Sequence, residues 1–379
     1  MAARFWVGGA GTWDNSSTTN WSATSGGASG ASAPTAVDTA TFDANSGSGV
    51  VSVASTAVST STTINNVNIN LSLTGSPALC TTAGTLTLTT GTITLNTFTI
   101  TCGRFSSSNT NTRAIAFGTG KFNITGNGAT VWTTATVTNF SYTGTPRVEF
   151  SYAGATGTRV VRHASSGGGN AVNSPDFYFT AGSDTVDLIN FCKVLDFTGF
   201  AGTLLNQTRT YFGSVTYSNA MTLTAGASAS TFGATSGTQQ ITTAGKTLDF
   251  PLTFNGIGGT FAFQDALTQG STRAFTITNG TVQLKASVTS TVGSLGTSST
   301  NQKFLQSTLA GTQATLSQVT GTVSVGYLTI KDMNATGGAT FNAYTVNSNV
   351  NAGNNLGWDF FAQLGKTIFT RRKEKRVLI

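Results

Sequence analysis

Charge is what this chain lacks most. Asp, Glu, Lys and Arg together make up only 9% of the 379 residues, against roughly 25% in an average soluble domain. Glutamate occurs twice, as Glu149 and Glu374, so helix faces laced with charge pairs are excluded. Three cysteines, Cys80, Cys102 and Cys192, are odd in number and loosely spaced, which excludes a disulfide framework. Buried free thiols are the plain expectation, although the 22 residues between Cys80 and Cys102 would also stack them on successive coils of a solenoid. One histidine and three scattered cysteines are too few for an ordinary zinc site. No stretch approaches the ~18 apolar residues of a membrane span. The opening Met1-Ala2-Ala3-Arg4-Phe5-Trp6 lacks a basic segment followed by an apolar run, so no secretory leader is expected.

The charge that exists is uneven. The net charge is +7, yet six Lys or Arg against one Glu in residues 365–379 account for +5 of it and leave the body near neutral. No basic body is present to grip nucleic acid. Thr, Ser, Gly, Asn, Val, Leu and 25 Phe dominate instead. Period-2 alternation recurs in Thr85-Leu86-Thr87-Leu88, Thr92-Ile93-Thr94-Leu95, Phe98-Thr99-Ile100, Phe122-Asn123-Ile124 and Phe275-Thr276-Ile277. Such runs read as strands with one buried and one wet face, broken by glycine turns. The phenylalanines and regular apolar positions argue against disorder.

Similar segments return at loose intervals: Leu223, Leu252, Ile277, Phe304 and Leu328 lie 29, 25, 27 and 24 residues apart. Periods of this size suggest a solenoid. Alternation alone leaves parallel coils and antiparallel hairpins both open. The expected fold is therefore all-β, a β-solenoid or β-helix-like rod of stacked strands, with tandem β-sandwich domains as the alternative. Residues 1–50 form a Trp/Gly-rich entry or cap module around Trp6, Trp13 and Trp21, three of the five tryptophans. Residues 51–215 form a first β-rich region, less regular from 146 onward. Residues 216–360 form a second region with a terminal module, and 361–379 a basic tail.

The opening Trp6-Val7-Gly8-Gly9-Ala10-Gly11-Thr12-Trp13-Asp14-Asn15, continued by Trp21, Pro34, Asp38, Phe42 and Asp43, resembles two groups. One is the entry module of autotransporter-type β-helix adhesins. The other is a class of bacteriophage virion proteins of tail-fibre-like character. The late segments Leu309–Ala343 and Asn351–Phe360 look like the end module of the same phage group. The resemblance covers both ends well and the middle only in style. It implies a β-rich, non-enzymatic structural role and carries no catalytic residues. The Lys/Arg tail departs from the family pattern.

Candidate chemistry is sparse. His163, the sole histidine, would need Asp176 or Asp184 to orient it in a Ser-His-Asp device, and no G-x-S-x-G elbow lies near. A lone surface histidine is the expectation. Asp176, Asp184, Asp187 and Asp196 fall within 21 residues. Paired carboxylates can cleave polysaccharides, but turns and solvated strand ends account for the same residues. Asp14, Asp38 and Asp43 offer oxygen ligands for calcium, yet no EF-hand loop is present, and turn capping is the simpler role. Gly365-Lys366-Thr367 imitates the end of a phosphate-binding loop, but the glycine that motif requires is replaced by Phe360. Tyr142, Tyr152, Phe177, Tyr178, Phe179 and Tyr211 would stack on sugars if exposed, and pack in the core if alternation rules. Arg371, Arg372, Lys373, Lys375 and Arg376 are candidates for partner docking.

The expectation is a non-enzymatic structural protein on the outside of a bacteriophage particle, a tail fibre or spike contacting the host surface. The alternatives are a capsid decoration protein or head fibre and, in third place, a polysaccharide-depolymerising tailspike. No cofactor or metal is expected. The expected partners are the chain itself, as a homotrimer, other virion proteins and host surface glycans, with no nucleic acid. A virion assembled in the host cytoplasm and released by lysis reconciles an adhesin-like composition with the lack of a leader.

Overall fold

The computed structural model describes residues 1–165 and 168–361. The chain is a parallel β-solenoid of about 14 coils. Among the described strands one pair is antiparallel, Ala3–Trp6 against Trp21–Ser22; every other ladder joins a strand to its counterpart one coil further on, in parallel. This excludes tandem β-sandwiches, whose sheets are antiparallel. Alternation could not separate the two because both bury every second residue.

Coil length is irregular. The entry coil takes 36 residues from Ala3 to Thr39. Later coils range from 30 residues, Ala129 to Arg159, to 17, Phe341 to Trp358. This scatter is why the sequence repeat is weak. The glycine turns are corners that strands run through. Strand Leu252–Phe263 slips register between Phe254 and Thr260. There a Cβ on Gly256 or Gly259 would overlap the Ala234 carbonyl oxygen of the coil below.

Inward positions stack in register. Phe105, Trp132, Val161 and Leu188 form one column. Phe150, Phe179 and Phe197 form another, with rings 4.6 and 4.7 Å apart at 14°. Each such pair adds about 0.5–1.5 kcal/mol beyond area burial. A single hydrophobic cluster runs from Trp6 to Phe360. It is continuous across positions 50 and 215, where strands Gly49–Val53 and Val215–Thr216 lie. Outward columns are hydroxyls: Thr41, Thr63, Thr87, Ser106 and Thr133 on one face, and Thr210, Thr231, Thr253 and Thr276 on another. A β-branched residue suits the pleated surface and its hydroxyl faces water.

The two ends differ. Trp6, Trp13 and Trp21 are fully buried and meet one another and Phe42 at centroid distances of 5.2 to 5.8 Å. They fill the first coil. At the other end the side chains of Asn349 and Asn355 donate to the carbonyls of Val325 and Ile330, both at 2.8 Å. These amides stitch the Asn-rich segment to the preceding coil. The apolar side chains of Val346, Val350, Leu356 and Phe361 are exposed there.

Candidate functional site

The predicted carboxylates scatter into separate structural roles. Asp14 accepts from the Ser16 and Ser17 amides at 2.9 and 2.7 Å. Asp38 accepts from the Ala2 amide at 2.7 Å and the Thr35 hydroxyl at 2.7 Å. Asp43 caps the short helix Ala44–Ser46. The hydrogen bonds that Asp14 and Asp38 accept hold both carboxyls below the ordinary range. Among the described residues no group of three or more His, Cys, Asp or Glu could hold a metal ion.

Asp184 is the first correction. It lies in the bend before strand Thr185–Cys192 but is not solvated. It is buried against Arg159, whose Nε and Nη2 donate to its two oxygens at 2.9 and 2.6 Å. Both side chains are fully enclosed. Burial lifts the Asp184 carboxyl above its ordinary value, and the guanidinium opposes that lift. His163 is the second. The expected surface histidine is completely buried. The Trp132 indole donates to Thr134 Oγ1 at 3.1 Å, and Thr134 Oγ1 lies 2.8 Å from His163 Nδ1. Burial pushes the imidazole down to about 3. His163 is thus a core residue because it shares the inward phase of Arg159 and Val161.

Asp176 and Asp196 lie on an outward face with Lys121, Arg147, Glu149 and Tyr178. Lys121, Arg147 and Asp176 are in register on successive coils, as are Glu149, Tyr178 and Asp196. Glu149 is gripped by Lys121 at 2.7 Å and Arg147 at 2.6 Å. Burial works to raise its carboxyl, and these two hydrogen bonds outweigh it and hold the group low. The Arg147 guanidinium lies 4.0 Å over the Tyr178 ring. Asp176 accepts from the Val194 amide at 3.2 Å, and burial raises its carboxyl. Asp196 accepts from the Thr198 amide and hydroxyl. Asp187 Oδ1 is enclosed with no hydrogen-bond partner.

Of the candidate aromatics, Tyr142, Phe177, Phe179 and Tyr211 are core residues, while Tyr152 and Tyr178 are half-buried. All three cysteines are free and buried, and burial raises every thiol. Cys80 and Cys102 do sit on adjacent coils: the Cys80 amide donates to the Thr101 carbonyl at 3.4 Å. Arg371, Arg372, Lys373, Lys375 and Arg376 lie outside the described residues.

Sequence reasoning missed a groove near the C-terminal end. Three successive corners, Thr297–Thr300, Ser324–Tyr327 and Val346–Ser348, line an open groove of about 560 Å³. Behind its wall lies Lys303, fully buried. Its Nζ donates to the carbonyls of Ser299, Gly326 and Tyr327 at 3.2, 3.3 and 3.4 Å. Phe304, one of the positions that mark the loose repeat, is 39% exposed, while Leu305 is buried. The available signal was a cation two residues before an apolar strand position, which recurs at Arg113, Arg159 and Arg209. Each of these is buried beside Ile115, Val161 or Tyr211.

No family model matches this chain, and neither a curated protein nor a solved structure matches it.

Proposed function

We propose that this chain is a non-enzymatic structural protein on the outer surface of a bacteriophage particle, of the tail-fibre or spike type, that contacts the host surface. The observation that carries this reading is where the two phage-like sequence segments fall. The Trp-rich opening builds the first described coil and Asn351–Phe360 part of the last, so the segments that carry the resemblance lie at opposite ends of the described solenoid. A rod with a continuous core is stiff, and Thr, Ser and Asn columns give it a nearly uncharged surface. From Ala44 to Gly103 no charged residue occurs at all. Such a surface works through many weak polar contacts, which several copies would multiply by avidity.

The non-enzymatic reading is supported by the fate of the carboxylates. Asp184 is held by Arg159, Glu149 by Lys121 and Arg147, and Asp176 and Asp196 by backbone donors. A homotrimer would cover the exposed apolar side chains and open strand edges of the last coil. The decisive experiment is mass spectrometry and immunogold imaging of purified particles from the virus that carries the gene. Label on the tail supports the reading. Label on the head moves the chain to the capsid-decoration class, and absence from particles overturns the virion assignment.

A further inference from the structure

We propose that the groove formed by Thr297–Thr300, Ser324–Tyr327 and Val346–Ser348 binds a carboxylate-bearing saccharide. Four features converge there. The first is size: about 560 Å³ lies within the range of small-molecule sites. The second is the lining. Thr297, Ser298 and Ser299 already hydrogen-bond within the chain, whereas among the described residues the side chains of Thr300, Ser324, Asn347 and Ser348 have no hydrogen-bond partner and are open to a ligand. Hydroxyls and an amide from three coils suit a ligand that is itself rich in hydroxyls.

The third feature is the Tyr327 ring. Tyr327 is a bulky aromatic held at φ +54°, and Ser299 and Ser348 in the same wall are at +71° and +59°. Positive φ recurs at corners along the solenoid, at Asn139, Ala164, Asn190 and Ala244 among others, but of the non-glycine residues that adopt it only Tyr327 is aromatic, and a bulky side chain is costly there. An aromatic face among hydroxyls is a platform for a sugar ring. The fourth is Lys303. Arg113 and Arg209 also meet backbone carbonyls inside the fold, so capping loop carbonyls is the structural use of such a cation. Lys303 differs in that all three of its carbonyl partners are residues of the groove wall. No salt bridge neutralises it among the described residues. Burial lowers its pKa, and no nearby carboxylate opposes that. Its charge lies directly behind the residues that line the groove, which favours an anion there. Hydroxyl lining, a ring and a cation with no carboxylate partner among the described residues together select an acidic sugar over a neutral one.

The inference rests on the host-contact reading only for the biological source of the saccharide. Binding is measured on the purified full chain, and location on the particle, so either can fail alone. Calorimetry with oligogalacturonate and with sialyllactose, each against its methyl ester, is the test. At least one free acid is expected to bind, with its ester weaker by about tenfold, and added salt should weaken the acid alone. Inorganic phosphate should not compete. Ser324→Tyr, an exposed position that fills the groove without touching Lys303, should abolish binding. Lys303→Met should erase the difference between acid and ester; if that variant does not fold, Ser324→Tyr and the ester comparison decide alone. No binding by either acid, equal binding of acid and ester, competition by phosphate, or unchanged binding by Ser324→Tyr would each overturn the proposal.

Discussion

Arg159 and Asp184 meet inside the solenoid one coil apart, joined by two hydrogen bonds of 2.9 and 2.6 Å with neither side chain reaching solvent. In a chain that avoids charge, this is a buried, bidentate ion pair. The guanidinium also lies 5.4 and 5.3 Å from the rings of Phe179 and Phe200, so it belongs to the aromatic core as much as to the carboxylate.

Removing one partner leaves a charge in the core. Asp184→Asn is expected to cost about 3–5 kcal/mol, read as a lower denaturant midpoint with an unchanged slope. The pair Arg159→Met with Asp184→Leu should recover most of that loss. A double variant as unstable as the single one would show that packing at the site, not the charges, is decisive.

His163 gives the fold an acid sensitivity. Its folded value near 3 lies below the ordinary 6.5, so the unfolded chain takes up a proton that the folded chain refuses. This contribution is absent above about pH 6.5 and destabilises progressively between about pH 6.5 and 3, at roughly 1.4 kcal/mol per pH unit. His163→Gln should flatten the difference in unfolding free energy between pH 7 and pH 4.5. Identical pH slopes in the two proteins would refute the assignment.

The tryptophan coil should act as a unit. Trp21 touches Trp6, Trp13 and Phe42, so Trp21→Ala is expected to cost about 3–5 kcal/mol. Hydrogen exchange should show the first coil opening before the rest. Uniform protection loss along the whole rod would instead mean that the solenoid unfolds all at once.

Coil spacing can be tested at one glycine. A Cβ on Gly84 would overlap the Thr60 carbonyl oxygen one coil below, and backbone in a stacked coil cannot yield. Gly84→Ala should therefore lower stability by about 1–3 kcal/mol. Gly245→Ala keeps a positive φ but has open space, so it should cost less. A Gly84→Ala variant as stable as the parent would refute the close approach of the two coils.

Alternation of Thr with apolar residues, few charges and many glycines was enough to read an all-β rod, because the side-chain period of a strand is written directly in the chain. The tryptophan cluster was legible for the same reason: three indoles among glycines have to be buried somewhere near. Phase was less legible. In Lys303-Phe304-Leu305 the larger ring suggests an inward Phe304, yet the inward residues are Lys303 and Leu305. The side chain that finds its partners is the one that goes inside, and the carbonyls that receive Lys303 belong to residues 299, 326 and 327.

The sequence by itself determined that this chain forms strands, buries its aromatics and leaves a hydroxyl-rich exterior, since local alternation and composition dictate those outcomes. Only the tertiary structure decided that the strands run parallel, that His163 and Asp184 go inside, and that three distant corners line a groove in front of a buried lysine. Each of those depends on which residue lies one coil above or below. Coils of 17 to 36 residues hide that relationship from any fixed period in the chain.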